Sequence, residues 1–481
     1  MALITSRYPS FSHELAGLTS AYFRGLTSRY FFLSLLALVG PQTEEQEKGG
    51  QAGRNRWIRS GTSERESLDK PPTLQRSAAS SRCAMLLLTG ATSAVMAAPL
   101  RVLRSSPITM ASRFEMENQY IEEMCATAKQ VATPGHGLLA TDESTPTAGK
   151  RLATIGVENT ERNRREYREL LYTAPGLGKH ISGVIMTAET LYQSTSEGVR
   201  FVDVVREQGI VPGIKVDTGL SELVGTEGET ATQGLDGLGE RCKAYYAEGA
   251  RFAKWRAVFK VGVDMPSERA IVENAQALAR YASICQENGL CPIVEPEVTL
   301  GPGDYPVERA AHVSEKVLSY VYRALNMHDV VLEASLLKPS MVLPGLDSLT
   351  VPREVVAEHT VRTMMRTVPP AVPGIMFLSG GMGAQEATEN LQQLQREATN
   401  APWLLSFSYG RALQDSVLKA WGGHPDNVEA AQSLLVELAR VNGEAQLGVW
   451  DEDHPAAGSS RTALPKLSYS TERAPVELFD W

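Results

Sequence analysis

The sequence is short of several features that would point elsewhere. Cysteine is scarce: Cys83, Cys125, Cys242, Cys285 and Cys291 are odd in number, irregularly spaced and without a CxxC pair. A disulfide framework is therefore not expected, and a reducing compartment suits the mature protein. The eight histidines (13, 136, 180, 312, 328, 359, 424 and 454) show no ligand spacing, so no metal and no cofactor is expected. Positive charge is not in excess. With 56 acidic against 47 basic residues the net is -9, which argues against a general nucleic-acid binder. No apolar run reaches the length of a membrane-spanning helix. What remains is 481 residues, 43% hydrophobic and 21% charged, ordinary material for a large buried core.

Charge divides the chain. Residues 1–112 carry 13 Lys and Arg against 7 Asp and Glu, a net of +6, which leaves -15 for the rest. This first stretch is rich in Ser, Arg and Gly, has no sustained period, and reads as a targeting or disordered leader. Within it MLLLTGATSAVMAAPL (Met85 to Leu100) looks like a signal-peptide core. The following RVLRSSPITMASR suits a transit peptide, because no acid occurs before Glu115. Such a two-part leader resembles those of algae with secondary plastids, and predicts a plastid stroma. The alternative is a cytoplasmic protein whose true start is Met85 or Met110.

From about Arg113 to residue 455, short β-branched runs alternate with longer amphipathic stretches, the pattern of a parallel sheet. The expected strands are Gly137 to Asp142, Ser182 to Thr187, Gly209 to Asp217, Phe252 to Val261, Cys291 to Val298, Val330 to Pro339, Gly374 to Gly381 and Trp403 to Gly410. Helices are expected between them. One opens on Ser267 as N-cap and another carries Pro352 in its first turn. Eight such units predict an α/β fold of the (β/α)8 TIM-barrel type. A doubly wound sheet would usually show a Gly-rich loop after its first strand, whereas here TDES follows. Residues 456–481 read as a mobile C-terminal arm.

In a barrel, side chains at the carboxyl ends of the strands face the site of chemistry. Read in order, those positions hold Asp142, Lys215, Lys254 and Arg256, Glu295 and Glu297, Lys338, Ser379, and Ser408 to Arg411. Residues spaced i, i+2 on a strand share a face, so Lys254 and Arg256 point together, as do Glu295 and Glu297. Unpaired charge is costly inside a barrel, and surface decoration does not account for the whole set. SGG (Ser379 to Gly381) and SYGR (Ser408 to Arg411) follow the last two strands, where barrels commonly hold phosphate. A lysine becomes nucleophilic when burial and a second cation lower its pKa, and Lys338 near Lys254 fits that arrangement. A neighbouring carboxylate can then move protons.

The runs LLATDES, GIKVD, TQGLDGL, FAKWR, NGLCPIVEPE, LEASLLKPSMV, RTVPPAVPGIMFLSGG and FSYGRALQ, spread from about Asn118 to about Leu447, resemble class I fructose-bisphosphate aldolases. The resemblance implies reversible cleavage of fructose 1,6-bisphosphate to dihydroxyacetone phosphate and glyceraldehyde 3-phosphate, on a homotetramer, in glycolysis, gluconeogenesis or the Calvin cycle. It implies Lys338 as Schiff-base lysine, with Glu295 as acid/base supported by Glu297. Asp142 would be the base at the C4 hydroxyl, and Lys254 would steady the charge of the intermediate. Ser379, Gly380, Gly381, Ser408, Gly410 and Arg411 would hold the C1 phosphate. Ser144, Thr147, Arg151, Lys215 and Arg256 would form the C6-phosphate side.

Three positions depart from the pattern. Ala334 stands where glycine is usual, Pro146 lies in the C6-phosphate loop, and the chain ends in Trp481 where many relatives end in tyrosine. An indole N–H only donates, so the arm is expected to act as a lid and not as a proton carrier. Other readings are separable. A metal-dependent aldolase needs clustered histidines, a transaldolase needs one phosphate site, and a non-catalytic cytoskeletal scaffold would not need Lys338, Glu295, Asp142 and Lys254 together.

Overall fold

The apolar runs close on themselves into one sheet. The computed structural model describes residues 118–299 and 303–451, so the expectations for the leader, the arm and Trp481 fall outside the described residues. The strands are β1 (Gly137–Ala140), β2 (Ile181–Met186), β3 (Val211–Lys215), β4 (Leu220–Glu222), β5 (Thr230–Thr232), β6 (Phe252–Lys260), β7 (Cys291–Thr299), β8 (Leu336–Leu337), β9 (Gly374–Phe377) and β10 (Leu404–Tyr409). Eight of them form a closed barrel in the order β1-β10-β9-β8-β7-β6-β3-β2, and every pairing within it is parallel. Helices alternate with these strands, so the architecture is a (β/α)8 barrel. The antiparallel β4–β5 hairpin, inserted between β3 and β6, has no counterpart in the sequence reading.

Each barrel strand buries both faces, which accounts for its near-continuous apolar run. Outward residues meet the helices: Trp255 stacks on Tyr281 with ring centroids 5.4 Å apart. Inward residues at the amino end make an apolar floor of Leu138, Phe252, Ile293, Leu336 and Met376. The Ile121–Val131 helix covers that floor with Met124, Ala128 and Val131, all fully buried. Each such Met or Val side chain contributes roughly 1.5–3 kcal/mol by leaving water. The ring of Phe252 fills the lumen so tightly that a Cβ at Gly213 would stand 2.0 Å from it. Glycine there is a requirement of close approach.

One expected strand is mostly something else. Between Val330 and Pro339 a short 3-10 turn, Leu332–Ala334, precedes the two-residue β8. A buried side chain stands in for a neighbouring strand: Gln286 Nε2 donates to the carbonyls of Val331 (2.8 Å) and Ala334 (3.1 Å), and its Oε1 accepts from Val331 N–H (3.0 Å). Ala334 itself is fully buried in the floor cluster, so its methyl is accommodated there. Ser267 caps its helix as expected, accepting from Ala270 N–H at 3.2 Å. Pro352 is the N-cap of the Arg353–Thr367 helix, one place before its first turn.

Candidate active site

At the carboxyl end of the barrel the i, i+2 rule carries inward apolar residues up to inward charged ones. Leu138 leads to Asp142 just beyond β1, Phe252 to Lys254 and Arg256, Ile293 to Glu295 and Glu297, and Leu336 to Lys338. The register sets Lys215 beside Lys254 and Arg256 beside Glu295. The result is a chain of alternating charge. Lys338 Nζ lies 2.9 Å from Glu295 Oε1, Lys254 Nζ lies 2.8 Å from Glu295 Oε2, and the same Nζ lies 2.6 Å from Asp142 Oδ2. Lys338, Glu295 and Lys254 are almost wholly buried. Arg256 Nε donates to Glu297 Oε2 at 2.6 Å, which satisfies the second i, i+2 pair.

Burial by itself would raise the Asp142 carboxyl and lower the Lys254 ammonium. At Asp142 the charges of Lys254 and Lys338 outweigh burial and hold the group well below its ordinary value. At Lys254 the charges of Asp142 and Glu295 outweigh burial and hold it above its ordinary value. Both are ionised across the physiological range. Glu297 is likewise kept low, because the charge and hydrogen bond of Arg256 overcome its desolvation. The sequence reading set Lys254 near Lys338 as a second cation with a carboxylate beside them. The structure places Glu295 between them.

Two cavities meet at Asp142 and Glu143. The inner one, about 80 Å³, is lined by the lysine–carboxylate chain together with Ser379, Gly380, Ser408, Gly410 and both Arg151 and Arg411. The second, about 440 Å³, is lined by Ser144, Lys215, Asp217, Thr187 and Arg241 among others. Arg151 and Arg256 thus share the cavity of Arg411, whereas Ser144 and Lys215 sit in the neighbouring one. Burial and the repulsion of Arg151 lower the Arg411 guanidinium from its ordinary value, so the pair is poised for an anion. Gly380, at φ 60°, makes the left-handed turn that only glycine adopts cheaply, and Gly381 N–H closes it on Ser379 O at 2.9 Å. β10 runs through Gly410 directly into the 11-residue Arg411–Trp421 helix, whose amino end faces the same cavity. Ser408 Oγ is buried there without a hydrogen-bond partner among the described residues. Thr147 sits back from both cavities, its Oγ1 3.1 Å from Ser144 Oγ.

Sequence reasoning missed the supports. Lys215 is anchored by Asp217, Nζ to Oδ1 2.7 Å, a partner the i, i+2 rule in GIKVD could have found. Buried Glu143 pairs with Arg151 and, at 2.5 Å, with Arg168 Nη2. Their charges hold it below its ordinary value against the pull of burial. Nothing in the spacing of these residues marks that contact.

Fold and site together define a (β/α)8 barrel with a lysine–carboxylate centre flanked by glycine turns and two arginines. Comparison with known proteins narrows this. The family model described as "Glycolytic: Fructose-bisphosphate aldolase class-I" matches residues 123–469. The chain is 57% identical over 352 residues to fructose-bisphosphate aldolase 6, cytosolic, of Arabidopsis thaliana, covering 73% of this chain and 98% of that protein. It is 56% identical over 344 residues to the cytoplasmic isozyme of Spinacia oleracea, covering 72% and 96%. Among solved structures it resembles fructose-bisphosphate aldolase from Plasmodium falciparum in complex with TRAP and an inhibitor. That match has a TM-score of 0.68 and 48% identity over 69% of this chain and 95% of that one. The chain belongs to the class I fructose-bisphosphate aldolase family. It is a carbon–carbon lyase that reversibly cleaves fructose 1,6-bisphosphate to dihydroxyacetone phosphate and glyceraldehyde 3-phosphate.

Proposed function

We propose that Lys338 is the nucleophile of this cleavage, and that the inner cavity takes the C1 phosphate while the outer one takes the C6 phosphate. The carrying observation is the unbroken Lys338–Glu295–Lys254–Asp142 chain, which lines the inner cavity and ends at Asp142, where the two cavities meet. Lys338 Nζ passes its proton to Glu295 and adds to the C2 carbonyl, whose oxygen takes up a proton from the same nitrogen to give the carbinolamine. Glu295, in contact with that nitrogen, delivers the proton that lets the carbinolamine hydroxyl leave as water. The resulting protonated imine is an electron sink. Asp142 takes the C4 hydroxyl proton, the C3–C4 bond breaks, and its electron pair passes into the imine as an enamine. Glyceraldehyde 3-phosphate departs. The proton taken up by Asp142 is returned at C3, and hydrolysis of the imine by water gives dihydroxyacetone phosphate and free Lys338. Lys254 keeps a fixed positive charge beside the reacting carbons throughout. Arg411, Arg151, Ser379 and the Gly380–Gly381 turn hold one phosphate, with Ser408 and Gly410 beside them. Lys215 and Ser144 serve the other, with Thr147 behind them steadying Ser144. Borohydride added with dihydroxyacetone phosphate should reduce the imine and fix the label on Lys338. Peptide mapping that put it on Lys254 or Lys215 would reassign the nucleophile.

The address and assembly are read from the leader and the family. The leader's charge and its signal-like run favour the plastid, whereas the relatives named above are cytosolic isozymes. Residues 85–125 fused to a fluorescent protein should enter the plastid, and the purified enzyme should sediment at four times its subunit mass. A cytosolic fusion removes the plastid reading, and a monomer removes the tetramer.

A further inference from the structure

Strand β1 loses a neighbour just where it delivers its base. Its ladder to β10 pairs Leu138 with Ser408 and Leu139 with Tyr409, and then β10 gives way to Gly410 and a helix. Ala140 O, the next carbonyl, takes its hydrogen bond from a side chain: Gln414 Nε2 donates to it at 2.6 Å. The same Nε2 donates to Glu143 Oε1 at 3.0 Å, and Gln414 Oε1 accepts from Arg168 Nη1 at 3.5 Å. Gln414 is 1% exposed. It therefore holds the backbone two residues before Asp142 and the side chain one residue after it. Gln414 lies one turn into the helix that starts at Arg411, so it ties the anion-binding end of that helix to the segment carrying Asp142.

We propose that Gln414 is a positioning residue for carbon–carbon bond cleavage, fixing Asp142 relative to the Arg411 helix so that phosphate capture and C4 deprotonation share one rigid frame. It touches neither substrate nor reacting atoms. The inference rests on the role given above to Asp142. A hydrogen-bonded side chain in place of a lost strand is stiff where a loop would be loose, and a displacement of about 1 Å at a reacting group can cost about a hundredfold in rate. Imine formation on dihydroxyacetone phosphate has no C4 hydroxyl, so it should not feel the loss.

The test compares Gln414→Met, which removes the donor, and Gln414→Glu, which keeps the size but turns the donor into an acceptor facing Glu143. Both should lower kcat for fructose 1,6-bisphosphate cleavage by roughly 10- to 100-fold. Borohydride trapping of the dihydroxyacetone phosphate imine should change by no more than about twofold. Gln414→Met placed on Asp142→Asn should cost almost nothing further, since the two act through one step. If Asp142→Asn alone leaves cleavage intact, the role of Asp142 fails first. If Asp142→Asn stalls cleavage while Gln414→Met slows trapping and cleavage alike, or multiplies in full with Asp142→Asn, the positioning role alone is overturned.

Discussion

Lys338→Arg should abolish cleavage, by at least about 10⁴-fold in kcat, while fructose 1,6-bisphosphate still binds. Arginine keeps a cation against Glu295 Oε1, which now faces Lys338 Nζ at 2.9 Å, so the buried carboxylate is not stranded. A guanidinium does not give up its proton in a protein and cannot add to a carbonyl. The groups proposed to hold phosphate, around Ser379 and Arg411, stand on a turn beyond β9 and at a helix start, and binding measured by calorimetry should remain within about tenfold of wild type. A variant that kept more than about one per cent of wild-type turnover would remove Lys338 from the mechanism.

Lys254→Met should have the largest effect on stability and a distinctive dependence on pH. The ammonium is 2% exposed and lies within 2.8 Å of both Asp142 and Glu295. Without it Asp142 loses its ion-pair partner and Glu295 is left with Lys338 alone. Breaking such a pair costs about 3–5 kcal/mol, and kcat should fall by about 10²- to 10⁴-fold as the fixed charge near the imine is lost.

The sign of the pH effect differs between the two proteins. In the wild type the lowered Asp142 contributes stability that is fully present above its unfolded value and is lost as pH falls through its folded one. The raised Lys254 contributes stability that is fully present below its unfolded value and is lost as pH rises through its folded one. Their joint contribution is therefore flat from roughly pH 4 to 10. In Lys254→Met burial acts on Asp142 without its nearest counter-charge and pushes that carboxyl up, so stability should climb as pH drops from about 8 to 5. Thermal melts across that range that ran parallel for the two proteins would refute this account.

The barrel was legible because its strands are buried on both faces and so are written as apolar runs, with charge only where the strand leaves the core. That rule found Lys254, Arg256, Glu295, Glu297 and Lys338 without any contact information. It failed where a side chain does the work of backbone. Gln286 replaces a strand beside Val331 and Ala334, and Gln414 does so beside Ala140. A glutamine inside an amphipathic helix carries no mark of such a task. The grouping of Arg151 with Arg411 was also hidden, because it depends on Glu143 and Arg168 gripping from behind, and Arg168 lies 25 residues further along the chain. The β4–β5 hairpin escaped notice since strands of three residues leave no period to read.

The Phe252 ring that occupies the lumen opposite Gly213 makes the barrel a blind-ended vessel, and traffic in a blind vessel is ordered. The water expelled when the imine forms, and the water that must return to hydrolyse it, pass through the same doorway as the sugar. On the mechanism proposed above, glyceraldehyde 3-phosphate has to clear that doorway before water can reach the carbon tethered to Lys338. Departure in sequence is thus a matter of plumbing, set by an apolar floor in which Phe252, the first residue of β6, closes the lumen opposite Gly213.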